Sequence, residues 1–293
     1  MNKINKTNQN IKVISTSTSC LDYYPDKNIS IDLIRIKIYI NNKEYIDGKN
    51  IKVDEFYNMM NENNNLNIKT SQPSLGELLD YFENLAKQGY KKVFVTTISK
   101  KLSGSYNVIC QAKKQLHDKI EIIPYNTNTV CFSEGYFALE AKRLLEQGCA
   151  LTEVIEHLNF LKKNNTIFFV VNSLKQLINN GRLTKTKGFF GRLLRIHPIL
   201  QVNENGEIVL IGKKFTIDRS FAYIVDKIKQ YTENKKFVIH ILSTGNPRLK
   251  TKFKTCLEKE LNLNNILDIP ATPTIGAHVG NNVLGVGIII LKS

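Results

Sequence analysis

The sequence lacks any apolar run near the ~20 residues that a membrane-crossing helix needs. It also lacks an apolar core at its start, where Met1 to Asn10 is polar and rich in asparagine. The first absence excludes a transmembrane helix and the second an ordinary signal peptide, so a cytoplasmic protein is the expectation. Paired cysteines are missing too. Cys20, Cys110, Cys131, Cys149 and Cys256 are scattered, odd in number and contain no Cys-x-x-Cys. This argues against both a disulfide framework and a zinc site, and leaves reduced packing residues. Neither the Gly-x-x-x-x-Gly-Lys-[Ser/Thr] loop nor the Gly-x-Gly-x-x-Gly fingerprint occurs, so no nucleotide site is expected. Acidic residues are scarce, 26 against 41 Lys and Arg, for a formal charge of +15. A basic chain can seek nucleic acid, a membrane surface or an acidic partner. Here the basic residues are spread out, and abundant Lys, Asn and Ile are what AT-rich coding produces; no nucleic-acid motif accompanies them. The sharper positive feature is Lys185-Thr186-Lys187 with Arg192 and Arg195.

What is present reads as an ordinary globular chain, with 42% hydrophobic and 23% charged residues over 293 positions. That length buries a substantial core in one large domain or two. β-Branched runs at Ile11–Ser15, Val93–Val95, Ile120–Ile123, Thr166–Val171, Phe237–Leu242 and Gly285–Leu291 predict strands, with Pro124 ending the third. Amphipathic segments lie between them. Ser74 and Glu77 form a capping box before Leu75, Leu78, Leu79, Phe82 and Leu85, and Gly89 ends that helix. Ser103 or Ser105 can cap a second helix, and a third runs roughly Glu134 to Glu146. This alternation predicts a largely parallel sheet with helices on both sides. Pro198–Val202 and Ile208–Gly212, joined through Asn205-Gly206, predict a hairpin and hence a second, mixed-sheet domain, with the boundary near residue 165.

Three short segments can carry chemistry. Thr70-Ser71-Gln72-Pro73-Ser74 and Leu102-Ser103-Gly104-Ser105 each precede a predicted helix, where hydroxyls and free backbone N–H groups favour an anion. Thr274-Ile275-Gly276-Ala277-His278-Val279-Gly280 reads as a loop between two apolar runs, with Gly276 and Gly280 allowing close approach beside the imidazole. One reading is a polar pocket for an anionic head group. The other is three unrelated turns, with Ser74 and Ser103 as caps worth ~1 kcal/mol each.

Four segments, Thr70-Ser71-Gln72-Pro73-Ser74, Leu102-Ser103-Gly104-Ser105-Tyr106, Asn180-Gly181-Arg182-Leu183 and Ile275-Gly276-Ala277-His278-Val279-Gly280, occur in one order. Together they resemble the DegV family, the fatty-acid-binding proteins that serve bacterial fatty acid kinase. The resemblance covers the chain from about Ile11 to Leu291. It implies a two-domain α/β protein. A disordered tail over 1–10 precedes a parallel-sheet α/β/α domain over 11–165 and a smaller mixed-sheet domain over 166–293, with one long-chain fatty acid held between the two. Thr70, Ser103 and His278 match the residues that bind the carboxylate; Ser71, Gly104, Arg182, Gly276 and Ala277 match positions near the head group or facing a partner. Hydroxyls and a ring N–H suit a carboxylate. About fifteen buried methylenes at ~0.8 kcal/mol each offer on the order of 12 kcal/mol gross. The carrier then needs no cofactor and is not itself an enzyme; a separate ATP-using kinase makes the acyl phosphate.

Arg182, after a helix predicted over Ser173–Asn180, either satisfies loose carbonyls or reaches the head group or kinase. Gly188 to Ile196 is either an ordinary amphipathic helix or a cover over the tail that transiently touches membrane or an acidic kinase surface. The chain departs from the family at Thr16-Ser17-Thr18-Ser19-Cys20-Leu21, where an Asp-Ser-Thr turn followed by an acidic residue and Leu is usual. It departs again at Asn281-Asn282, where Pro-Gly is usual, and Asn126-Thr127 stands for a later Asp-Ser-like turn. The competing function is a lipid esterase using Ser103 and His278 as nucleophile and base, but Ser103 lies in no Gly-x-Ser-x-Gly elbow.

Overall fold

The computed structural model describes residues 11–28, 30–63, 65–183 and 196–292. The tail 1–10, Lys185-Thr186-Lys187, and Gly188 to Arg195 of the basic-apolar segment lie outside the described residues.

The first half alternates as its hydrophobic periodicity demands. β1 (Ile11–Thr16) passes through a buried hydroxyl turn to β2 (Asp32–Ile34). A meander of β3 (Lys37–Ile40) and β4 (Lys43–Ile46) precedes α1 (Val53–Glu62) and β5 (Ile68–Ser71). Then come α2 (Leu75–Lys87), β6 (Lys92–Thr97), α3 (Ser105–Gln115), β7 (Glu121–Asn126), α4 (Phe132–Glu146) and α5 (Leu151–Lys163). Strands β2-β1-β6-β7 form a wholly parallel sheet. Alternation along each strand splits its side chains between two cores. Ile14, Val93, Val95 and Ile122 meet α2 and α3; Val13, Phe94 and Tyr125 meet α4 and α5. The Ser74–Glu77 capping box is present, and Gly89 follows the helix at φ +95°.

Two local expectations change. Pro124 does not end β7 but pairs with Val95 inside it; β7 is an edge strand, where proline removes no ladder bond that a neighbour needs. Neither serine caps α3. Gly104 is the N-cap, and Ser103 Oγ instead accepts the Ser105 N–H at 3.2 Å. The three-stranded antiparallel sheet β4-β3-β5 is an addition to the predicted elements. Its strands are short and carry charged residues, which hid their alternation.

The second half forms a six-stranded mixed sheet, β10-β9-β8-β13-β11-β12. Its strands are β8 (Asn165–Val170), β9 (His197–Val202), β10 (Ile208–Lys214), β11 (Phe237–Ser243), β12 (Leu267–Asp268) and β13 (Leu284–Ile290). Between them lie α6 (Lys175–Asn179), α7 (Ile217–Thr232), α8 (Pro247–Leu261) and α9 (Pro273–Val279). The β9–β10 hairpin turns at Gly206, φ +76°. One face of the sheet packs Phe168, Val170 and Ile241 against α7 and α8. The other turns Ile167, Phe169 and Leu242 toward the first half, where Cys131, Phe132 and Ile98 meet them. No helix among the described residues is long and apolar enough to cross a membrane.

Candidate functional site

The Gly-Ala-His segment is a helix, not a loop. Thr272 stands at its N-cap and Pro273 at its first position, where a missing N–H costs nothing. Tertiary contacts hold this short element. Tyr57 Oη donates to the Ala271 carbonyl at 2.9 Å. Gly276 lies against α1, where a Cβ would sit 2.6 Å from Tyr57 Oη and 2.8 Å from Phe56 Cε1. Both rings are buried, so neither can retreat. Gly276→Ala is therefore expected to destabilise the fold by ~1–3 kcal/mol, a fall of several degrees in Tm. Thermal unfolding checks this, and an unchanged Tm would mean that α1 and α9 are not in such close contact.

Helix α9 delivers His278 to β5. Thr70 Oγ1 and His278 Nε2 lie 2.7 Å apart across 208 residues of sequence. Both residues are half-buried, and His278 Nδ1 has no hydrogen-bond partner among the described residues. Burial foremost, and then the charge of Arg182, push the imidazole pKa down to about 4. The ring is thus neutral at pH 7, with one nitrogen on Thr70 and the other unpaired.

The Ser103 turn approaches the same region. Ser103 Oγ lies 3.0 Å from Ser105 Oγ, and its N–H donates to the Ser99 carbonyl at 3.1 Å. Gly104 touches the Gln72 side chain so closely that a Cβ there would collide with Gln72 Oε1. That contact joins the Leu-Ser-Gly turn to the Thr-Ser-Gln-Pro turn. Arg182 donates through Nε to the Leu102 carbonyl at 3.2 Å and through a terminal nitrogen to the Asn180 carbonyl. Burial lowers its pKa. Among the described residues no carboxylate pairs with it, so a guanidinium held by carbonyls adds positive charge beside His278.

Behind these groups opens a cavity of about 670 Å³ including its mouth, lined by aliphatic side chains such as Ile167, Phe169, Val202, Leu242, Ile275 and Val283. Among the described residues, Arg182 and His278 are the charged or titratable nitrogen-bearing side chains on its wall.

Other predicted positions fall elsewhere. Ser71 faces solvent, its hydroxyl donating to the Gln72 carbonyl. Gly276 serves the α1 contact, and Ala277 is buried with Ile38 and Phe56. The altered first turn is a buried hub that sequence reading left unassigned. Thr16 Oγ1 and Thr18 Oγ1 donate to the Glu134 carboxyl at 2.5 and 2.7 Å, while Ser17 Oγ donates to Asp47 Oδ2 at 2.9 Å. Ser99 was also missed; its hydroxyl donates to the Gly206 carbonyl at 2.7 Å and ties the turn to the β9–β10 hairpin. Nothing local distinguishes these residues from ordinary turn or helix positions.

Fold and site together define a two-domain α/β protein, one parallel and one mixed sheet, enclosing an aliphatic cavity with a polar, cationic end. The sequence pattern of the DegV family, described as one of uncharacterised proteins, matches residues 10–291. The chain belongs to the DegV family. It is 30% identical over 287 residues to a DegV domain-containing protein of Staphylococcus aureus strain N315, covering 98% of this chain and 99% of that one. Among solved structures, the fatty-acid-binding DegV family protein of Streptococcus agalactiae is 25% identical with a TM-score of 0.86, covering 97% of this chain and 99% of that chain. DegV of Bacillus subtilis, a fatty-acid-binding protein, is 25% identical with a TM-score of 0.84, covering 96% and 99%.

Proposed function

We propose that this protein binds one long-chain fatty acid and presents its carboxylate to a separate ATP-dependent fatty acid kinase, which forms the acyl phosphate. The observation that carries the binding reading is the aliphatic cavity ending at Arg182 and His278. Apolar walls take the tail, and a guanidinium and a ring nitrogen without a carboxylate or hydrogen-bond partner among the described residues favour an anion at one end. Thr70, Ser103 and His278 are assigned to the head group, with Arg182 as electrostatic support. The fatty-acid-binding structures from Streptococcus agalactiae and Bacillus subtilis support the ligand class.

The kinase half of the reading rests on the family resemblance and on a sequence without a nucleotide-binding loop. In this scheme the protein supplies no catalytic residue, needs no cofactor and keeps the reactive product out of water. The segment 188–196, mixing Phe189 and Phe190 with Arg192 and Arg195, is assigned to transient contact with membrane or kinase. The esterase alternative gains no support from the geometry. Ser103 Oγ pairs with Ser105 Oγ, and His278 Nε2 is engaged by Thr70.

Mass spectrometry of an organic extract of the purified protein tests the binding reading. One equivalent of a long-chain fatty acid is expected. An empty extract, repeated after incubation with mixed fatty acids, would remove it. Adding the kinase, ATP and hydroxylamine should then yield the acyl hydroxamate, and none should form without the kinase.

A further inference from the structure

Helix α9 is tied at its start to a carboxyl group that belongs to a distant turn. Asp47, with no exposed surface, follows β4. Its Oδ2 accepts the Thr274 hydroxyl at 2.7 Å and the Ser17 hydroxyl at 2.9 Å. Thr274 is the second residue of α9, so one of the two donors is on the helix itself. The other side of Asp47 is held by the first half of the chain. Its carbonyl accepts Arg35 at 3.1 Å, and that guanidinium makes two bonds to Asp22, at 2.6 and 3.0 Å. Ser17 Oγ also accepts the Ile36 N–H at 3.3 Å. The carboxyl group is therefore a fixed point against which α9 is set. Beside it, Asp47 Oδ1 and the Thr272 hydroxyl are both buried without a partner among the described residues.

Thr274 and His278 are four residues apart, about one helical turn or ~6 Å along the axis. A hydrogen-bonded turn moves as a unit, and Gly276 between them is pressed against Tyr57 and Phe56. Any shift at Thr274 therefore reaches the imidazole. We propose that Asp47 is a positioning residue for the head-group site, acting through Thr274 to hold His278 against Thr70. Its consequence for ligand affinity rests on the fatty-acid reading above; its consequence for the imidazole does not.

The tether responds to pH. Burial pushes the Asp47 pKa up to about 6, opposed chiefly by the hydroxyl bonds from Thr274 and Ser17, while the charge of Asp22 raises it further. The other titratable or charged groups facing it are Arg35, Tyr23 and Tyr57. Burial raises both phenols, Tyr23 to about 12, so neither ionises near neutrality. Glu134, across the Ser17 turn, is raised to about 8 and is mostly uncharged near pH 6. Protonation of Asp47 near pH 6 removes the charge assistance from both hydroxyl bonds.

The test uses the full-length protein with Thr274→Val, which deletes one hydroxyl at constant shape, and Asp47→Asn. The His278 imidazole signals are followed by NMR, identified by their loss in His278→Gln, and oleate affinity is measured between pH 5 and 8. Thr274→Val is expected to shift the His278 signals and weaken oleate binding about three- to tenfold. Asp47→Asn should do the same and abolish a step in affinity near pH 6, and the double variant should be no worse than the stronger single one. Unmoved His278 signals, with affinity and the pH step retained in both variants, would overturn the proposal. If the wild-type protein fails to bind oleate yet the His278 signals shift, the positioning role stands and the fatty-acid reading falls.

Discussion

Replacing His278 with alanine is expected to weaken fatty-acid binding by ten- to a hundredfold without unfolding the protein. The figure follows from how the ligand's free energy divides. Burial of the tail supplies most of the gross gain, on the order of 12 kcal/mol for about fifteen methylenes. Hydrogen bonds to a charged carboxylate add ~1–3 kcal/mol net, which is the part the imidazole can remove. The proposed head-group role of His278 draws on Nε2 meeting Thr70 at 2.7 Å while Nδ1 is buried and has no partner among the described residues. Its pKa of about 4 in the unliganded protein reflects burial and Arg182. An anion at Nδ1 opposes both effects, so binding should raise that pKa and draw proton uptake in mildly acidic buffer. Calorimetry in buffers of different ionisation enthalpy measures affinity and proton uptake together. Thr70→Val and Ser103→Ala should each cost less than His278→Ala. Full affinity in both His278→Ala and Ser103→Ala would place the carboxylate at some other part of the cavity.

Raising the pH from 6.5 to 8 is expected to cost this protein on the order of 2 kcal/mol of stability, and Glu134→Gln should abolish most of that loss. Glu134 is fully buried at the start of α4. Burial pushes its pKa up to about 8, against hydroxyl bonds from Thr16, Thr18 and Ser15 that lower it. A carboxyl whose folded pKa is raised holds a proton that the unfolded chain has already released. Its stabilising contribution is complete below the unfolded value near 4.5 and declines by about 1.4 kcal/mol per pH unit as pH rises toward 8. Asp47, raised to about 6, acts in the same direction at lower pH. His278 and His240, lowered to about 4 and about 3, act oppositely as pH falls below 6.5. These contributions overlap between pH 4 and 6.5, so the interval above 6.5 isolates Glu134. Urea unfolding of wild type and Glu134→Gln at several pH values checks the claim; parallel profiles would show that Glu134 is not the titrating group.

The features legible in the sequence are those whose cause is local. The Ser74–Glu77 box lies within one helical turn, and Asn205-Gly206 sits in the two-strand hairpin it permits. The β6 and β8 runs declare themselves through β-branched and aromatic residues. Features that depend on burial were not legible. Glu134 reads as a favourable acid at a helix start, yet it is enclosed by three hydroxyls from the other end of the domain. Asp47 reads as a turn aspartate in Asp47-Gly48. The segment Pro273–Val279 looks like a glycine-rich loop because intrinsic propensity argues against a helix there. Its stability comes from Tyr57, Phe56 and Asp47, more than 200 positions away.

The βα alternation of the first half, the β9–β10 hairpin, the motif set and the family were determined by sequence alone. They depend on periodicity, capping and residue identity at neighbouring positions. Tertiary structure decided which hydroxyl meets the imidazole, where the cavity opens and what anchors α9. The Thr70–His278 contact spans 208 residues, and its formation depends on how two separately built sheets pack their inner faces. Alternation in β8 sends Ile167 and Phe169 toward the first half and Phe168 toward α7 and α8. The cavity is the space left where those inward side chains meet Cys131, Ile98 and Ile275.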